Sequence, residues 1–109
     1  MQAFDYHVLL SLARGPLYGY AIAEAVASES SGALTPRAGS LYRVISRLIS
    51  EGFVRAAKPP SAVDPHPGKD RKYYALTAMG RHALLAETQR LKDSLALAEK
   101  RLGALGGRS

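Results

Sequence analysis

Turn-forming residues divide the first half of the chain into three short segments, which limits the folds open to it. Gly15 and Pro16 end the first segment, because proline lacks a backbone donor and restricts the residue before it. Small and polar residues at 28–32 end the second segment, and Gly52 follows the third. Within each segment the apolar residues recur at helical spacing. The sequence therefore predicts three short helices, over about residues 3–13, 19–29 and 38–51.

Two stretches after Gly52 have the character of short β-strands, at residues 53–58 and 71–77. Between them, residues 59–68 contain four of the six prolines and predict a long hairpin loop. Three helices followed by a two-stranded wing is the order of a winged helix, in which the third helix enters the DNA major groove. The predicted fold class is therefore mainly α with a small β-hairpin, a winged helix-turn-helix DNA-binding domain over residues 1–77.

Thr77 is placed to cap a last helix that runs from about Ala78 to Leu102. Apolar residues recur along this helix at alternating spacings of four and three, as in a coiled coil. A second copy of the helix is the simplest partner for this stripe, so residues 78–105 are predicted to be a C-terminal dimerisation helix. The alternative is that the helix folds back onto its own domain. The residues assigned to dimerisation are Leu84, Leu91, Leu95, Ala98 and Leu102.

Positive charge is concentrated in the middle of the chain. The net charge is +6, and residues 37–72 carry eight basic and three acidic side chains, whereas residues 1–36 carry one basic and three acidic ones. A localised basic region suits a polyanion surface, although a solvated basic surface would have the same composition.

The third predicted helix carries an apolar face and, opposite it, a polar face with two arginines. Arg43 and Arg47 lie one turn apart, and among nearby positions on that face only Glu51 is acidic. Like charges at this spacing slightly destabilise an isolated helix, so an anion outside the helix is expected to compensate them. A DNA phosphate or the acceptor edge of a base would do so.

Several classes of function find no support in the sequence. Cysteine is absent, and the three histidines have no carboxylate at ligand spacing, so we expect no metal and no cofactor. No nucleophile, phosphate-binding loop or carboxylate pair indicates an enzyme, and no catalytic residue is assigned. Neither a secretory signal nor a membrane span is visible, which leads us to expect a cytoplasmic protein without membrane contact.

Three motifs in order resemble one known family. They are the run from Gly15 to Tyr20 (GPLYGY), the run from Gly39 to Arg43 (GSLYR) with Glu51 to Val54 (EGFV), and the run from Arg71 to Thr77 (RKYYALT). Together they resemble the PadR family of transcriptional regulators over about residues 5–100. The resemblance implies a homodimer on a roughly palindromic DNA operator, usually a repressor that a small-molecule effector or a stress signal releases. It also implies that the first and last helices form the dimer.

The same resemblance implies which residues meet double-stranded DNA. The third helix would face the major groove, and the hairpin would lie along the backbone or minor groove. Ser40 and Tyr42 are expected to bind phosphate near the start of the third helix, where backbone donors are unpaired. The complete set of expected DNA-binding residues is Arg37, Ser40, Tyr42, Arg43, Arg47, Lys69, Arg71 and Lys72. The alternative is a winged-helix module whose basic face meets RNA or an acidic protein.

The chain departs from the family pattern in several respects. Longer members carry several C-terminal helices that hold the effector, whereas this sequence predicts only one, as in the short members. Many members have a Ser-Pro pair where this chain has Arg37-Ala38, and arginine cannot cap a helix as serine does, so Thr35-Pro36 offers an earlier start. Tyr18 stands where histidine is usual. The tryptophan with which some short members stack a flat ligand is absent, since the chain contains none.

Overall fold

The computed structural model describes residues 1–59 and 72–103. Three helices, α1 (Ala3–Ser11), α2 (Gly19–Glu29) and α3 (Ala38–Ser50), precede a wing made of β2 (Val54–Ala57) and β3 (Tyr73–Leu76). The long helix α4 (Ala78–Leu102) follows. A short strand, β1 (Leu17–Tyr18), lies between α1 and α2. The predicted fold class, a mainly helical winged helix-turn-helix with a C-terminal helix, is confirmed.

The prediction of a two-stranded wing was incomplete. The sheet has three antiparallel strands in the order β1-β3-β2, with Leu17 opposite Tyr74 and Val54 opposite Leu76. Strand β1 has only two residues, too few for any alternation of apolar and polar side chains to show in the sequence. Its pairing with β3 therefore depends on the tertiary fold.

The core lies where α1, α2 and α3 meet the sheet and the start of α4. Its side chains come from the predicted apolar faces. Helical spacing also places Ile49 on the apolar face of α3, but this residue is 39% exposed. Burial of these aliphatic side chains supplies most of the stabilisation, about 1.5–3 kcal/mol for each fully buried one. The fully buried residues include Val8, Leu9, Leu12, Ile22, Val26, Ile45, Leu48 and Val54.

The ends of α3 and α4 agree with the sequence in most respects. Arg37 is the N-cap of α3 and makes no side-chain capping bond, as expected, but the helix begins at Ala38 and the earlier start at Thr35-Pro36 was wrong. Gly52, which follows α3, has the predicted positive φ, 86°. Thr77 caps α4 by accepting a hydrogen bond from the backbone N–H of Gly80 at 2.9 Å.

Helix α4 is joined to the end of α3 through its first turn. The Thr77 hydroxyl donates to the Gly52 carbonyl at 2.6 Å, and the Thr77 N–H donates to the Phe53 carbonyl at 3.0 Å. A Cβ atom at Gly80 would lie 2.0 Å from the same Phe53 oxygen, so only glycine allows α4 to approach this turn. The direction of α4 is thereby fixed relative to α3 and the wing.

A second contact ties α4 to α1. The Tyr6 hydroxyl and the Thr88 hydroxyl are 2.8 Å apart, and the side chain of Leu84 is buried in the common core. The first turns of α4 therefore do fold back onto their own domain, which was the alternative interpretation of this helix. In the part of the chain that the structure describes, no helix has the length and apolar character needed to cross a membrane.

Candidate nucleic-acid interface

The outward face of α3 is exposed and basic. Arg43, Ser46 and Ser50 lie opposite the buried residues Leu41, Ile45 and Leu48. Arg43 makes no hydrogen bond and no ion pair with any other residue in 1–59 or 72–103. Its guanidinium group is therefore available to an anion or to a hydrogen-bond acceptor outside the protomer.

Tyr42 connects α3 to the beginning of α2. The tyrosine is 48% exposed, and a Cβ atom built on Gly19, the first residue of α2, would lie 2.6 Å from its hydroxyl oxygen. Helix α2 begins without a side-chain capping bond. The Tyr42 hydroxyl therefore lies next to Gly19 at the start of α2, a helix whose first backbone N–H groups have no partner within the helix. Tyr42 also lies near the start of α3, where the sequence places it, but chain order did not reveal Gly19 of α2 as its neighbour.

Tyr74, in β3, lies near Tyr42. It is 7% exposed, and burial raises the pKa of its phenol above the usual 10.0, with a smaller contribution from the nearby Tyr42. Tyr74 points inward, as the strand pattern predicts.

Arg47, in contrast to Arg43, is paired within its own protomer. One nitrogen of its guanidinium group lies 2.5 Å from the Asp5 carboxylate in α1, and another lies 3.4 Å from Glu51. The hydrogen bond to Asp5 is the main reason that the pKa of Arg47 is raised. The structure therefore separates the two arginines that the sequence treats alike.

The remaining residues expected at DNA are spread around α3 and the wing. Arg37 is exposed at the start of α3, Ser40 is half-buried, and Lys72 is exposed just before β3. Lys69 and Arg71 lie outside the described residues, and so does most of the predicted hairpin loop. Arg55 in β2 and Lys58, which directly follows β2, are exposed as well.

A cluster of tyrosine rings lies beside the wing. The rings of Tyr18 and Tyr20 are stacked with centroids 6.5 Å apart, and Tyr73 packs edge-on against Tyr18 at 5.6 Å. The pairing of β1 with β3 brings these rings together, because Tyr18 lies opposite Tyr73 in the sheet. The sequence signal was limited to the tyrosine content of both motifs.

The leucines of α4 fall into two groups. Leu84 is buried in the core of its own protomer, so its assignment to a dimer surface was wrong: it has no exposed side chain to offer a partner. Further along the same face, Leu91, Leu95 and Leu102 are 39%, 51% and 67% exposed, and Ala98 is half-buried. We call these four residues the α4 stripe.

Ionisable side chains do not form a metal site in the described ranges, residues 1–59 and 72–103, where no group of three potential ligands comes together. On α4, exposed Arg90 forms an ion pair with the partly buried Glu87, and the hydrogen bond from Arg90 lowers the pKa of Glu87.

Solved structures share this fold over almost the entire chain. A PadR family transcription regulator of hypervirulent Clostridium difficile superposes with a TM-score of 0.75 at 22% identity, covering 94% of this chain and 100% of the other. A PadR-like transcriptional regulator of Bacillus cereus has a TM-score of 0.76 at 20% identity, covering 94% of this chain and 93% of its own. At such low identity these likenesses show the fold.

A third similar structure is that of Bacillus subtilis PadR in complex with operator DNA. Its TM-score is 0.64 at 23% identity, over 80% of this chain and 47% of that one, so this chain matches about half of that regulator's length. No curated protein matches the sequence significantly.

The sequence itself matches a family over most of its length. The matching family is described as the transcriptional regulator PadR-like family, and the match covers residues 8–86, which include the end of α1, all of α2 and α3, the wing and the start of α4. This range also contains the three motifs that suggested the resemblance. Family members are regulators of transcription and not enzymes. The chain therefore belongs to the PadR-like family of transcriptional regulators.

Proposed function

We propose that this protein is a homodimeric repressor of transcription that binds a palindromic operator in double-stranded DNA through α3. The observation that carries the proposal is the state of Arg43, which is exposed on the outer face of α3 without an acidic partner among the described residues. An arginine in this position can donate two hydrogen bonds to the acceptor edge of a guanine, the commonest specific contact in the major groove. Family membership supports a role in regulation, and basic residues flank the helix on both sides.

The flanking residues are proposed to hold the DNA backbone. Tyr42 and the first turn of α2 present a hydroxyl group and backbone N–H groups side by side, which suits one phosphate. Ser40, which lies in α3 as Tyr42 does, is also assigned to the DNA backbone. Contacts of this kind position the protein without reading sequence. The basic residues assigned to the backbone are Arg37, Lys69, Arg71 and Lys72.

Dimerisation is proposed to use the α4 stripe. Helix α4 has 25 residues and is about 37 Å long, and only its first turns pack on the core. Beyond that contact, three leucines on one face form an apolar surface whose exposure to water is unfavourable. A second copy of α4 would bury it and would present two α3 helices to one face of the DNA, about 34 Å apart.

The Bacillus subtilis PadR structure, which contains operator DNA, supports this use of the fold. That a repressor of this kind is released by a small-molecule effector remains an expectation from the family resemblance.

Binding can be tested on the DNA upstream of the protein's own coding region. Fluorescence anisotropy with labelled duplexes, at two salt concentrations, should give one preferred duplex and an affinity that falls steeply with salt, because phosphate contacts release counterions. Footprinting should protect two half-sites one helical turn apart. Equal affinity for RNA, heparin and unrelated DNA would reject the proposal in favour of a general polyanion or protein-interaction module.

A further inference from the structure

We propose that Asp5 and Arg47 form a clamp that fixes the orientation of α3 against α1, so that Arg47 acts on DNA recognition as a positioning residue. This inference rests on the proposed DNA-binding function and replaces direct DNA contact by Arg47. It also gives a role to Asp5, which no motif singled out.

The environment of Asp5 is the first reason. Its side chain is 10% exposed, although a carboxylate is costly to bury without a partner. One oxygen accepts the short hydrogen bond from Arg47, and the other lies 3.4 Å from the backbone N–H of Gln2 at the start of α1. In the described part of the chain, Arg47 is the one cation that compensates this carboxylate.

The local charge is the second reason. Arg47 is shared between Asp5 and Glu51, so the three side chains together carry a formal charge of −1. A phosphate brought to this group would be repelled, and Arg47 would have to leave a buried carboxylate in order to reach it. Arg43, one turn earlier, has no such partner in residues 1–59 or 72–103, so no carboxylate there offsets its formal charge.

The position of the pair is the third reason. Asp5 and Arg47 are 42 residues apart in sequence, and their ion pair joins the first turn of α1 to the last turn of α3. The same end of α3 is joined to α4 through the Gly52–Thr77 contact described above. Helix α3 is thus held by α1 on one side and by α4 beyond its C-terminus, so a change at Asp5 is expected to rotate or tilt it.

A double-mutant cycle tests the clamp. The variants are Asp5→Asn, Arg47→Gln and the double variant, with affinities for the preferred duplex and for an unrelated duplex measured at a temperature at which each variant is folded. Arg47→Gln strands the Asp5 carboxylate, so we expect its preference for the specific duplex to fall at least tenfold and its thermal midpoint to fall by about 5 °C or more. A role in stability alone would leave the preference of the folded protein unchanged.

The background of Asp5→Asn separates positioning from DNA contact. When Asp5 has been replaced by the neutral asparagine, removal of Arg47 is expected to change the affinity for the specific duplex by less than twofold, because the ion pair has already been lost. The slope of log affinity against log salt should stay at the wild-type value in Arg47→Gln, whereas one lost phosphate contact would reduce it by about one. The same tenfold loss in both backgrounds, or the reduced slope, would overturn the clamp.

Two further variants serve as controls. Arg43→Gln removes the same charge one turn away from a side chain that does not pair with Asp5, so its thermal midpoint should stay near the wild-type value, whereas that of Arg47→Gln should fall. Glu51→Gln removes the more distant and more exposed partner of Arg47 and should change affinity less than twofold. If the wild-type protein prefers no duplex, the proposed function fails. The thermal midpoints of the same variants would still show, by their non-additivity, whether Asp5 and Arg47 hold α1 and α3 together.

Discussion

The hydroxyl group of Tyr42 occupies the space that a side chain on Gly19 would need. A Cβ atom at Gly19 would lie 2.6 Å from the hydroxyl oxygen and 3.1 Å from the ring carbon that carries it. The relationship joins α3 to the start of α2, the two helices of the helix-turn-helix. It also explains why glycine is needed at this position, where the motif places it between Tyr18 and Tyr20.

Substitution of Gly19 should therefore affect DNA binding more than stability. In Gly19→Ala the new methyl group meets the end of a half-exposed side chain, which can move away, so unfolding should change by less than about 1 kcal/mol. Tyr42 would be displaced from the first turn of α2, and affinity for the preferred duplex should fall about three- to tenfold. Anisotropy titrations of Gly19→Ala, Tyr42→Ala and the double variant check this, because the alanine at position 19 should cost nothing further once the ring is absent.

Arg43 is expected to account for much of the sequence preference. Replacing it by alanine should cost about 1–3 kcal/mol for the preferred duplex if it reads a base, and should relax the preference at one base pair of each half-site. Arg90→Ala, which removes a charge from the exposed surface of α4, is the matched control and should bind nearly as the wild type does. Equal losses on all duplexes would show that Arg43 contacts phosphate instead.

The α4 stripe can be tested with two leucines of similar exposure. Leu95 is 51% exposed and lies on the stripe, whereas Leu97 is 45% exposed and lies on another face of the helix. Leu95→Glu should place a charge in the dimer interface and yield monomers by analytical ultracentrifugation at micromolar concentration, with loss of binding to a two-half-site duplex. Leu97→Glu should remain dimeric. A wild-type monomer under these conditions would contradict the proposed dimer.

Gly80 offers a test of the joint between α4 and the end of α3. A methyl group there would lie 2.0 Å from the backbone oxygen of Phe53, which cannot move as a flexible side chain can. Gly80→Ala should therefore destabilise the fold by at least about 2–3 kcal/mol in chemical unfolding. Gly39→Ala is the control, because no atom of the described residues lies within 4 Å of the new methyl group and alanine favours a helix, so stability should stay constant or rise by up to about 1 kcal/mol.

Burial of Tyr74 predicts a specific loss of stability in alkali. Its pKa is raised above 10.0 by burial, so the folded state keeps a proton that the unfolded state releases. The folded state binds more protons in this range, and the free energy of unfolding must fall as the pH rises above about 10. Chemical unfolding at about pH 9 and pH 11 should show a smaller decline for Tyr74→Phe than for wild type. Tyr20→Phe, at a 65% exposed tyrosine, should decline as wild type does.

Local chemistry in the sequence determined the helices and most of the wing. Breakers at Gly15-Pro16 and Gly52, helical spacing of apolar residues and the cap at Thr77 act over a few residues, so they were visible without the fold. The family motifs were visible for the same reason. Arg43 belongs with them, because the helical period alone places it opposite the apolar face of α3.

Tertiary structure decided what depends on residues far apart in the chain. Arg47 and Arg43 are both arginines on the outward side of α3. Only the packing of α1 beside α3 brings the Asp5 carboxylate to 2.5 Å from the Arg47 guanidinium group. Strand β1 exists because β3 pairs with it, and Leu84 became a core residue because Gly80 lets the first turns of α4 approach the rest of the domain. Such contacts depend on the directions in which whole helices pack, which no local pattern of residues specifies.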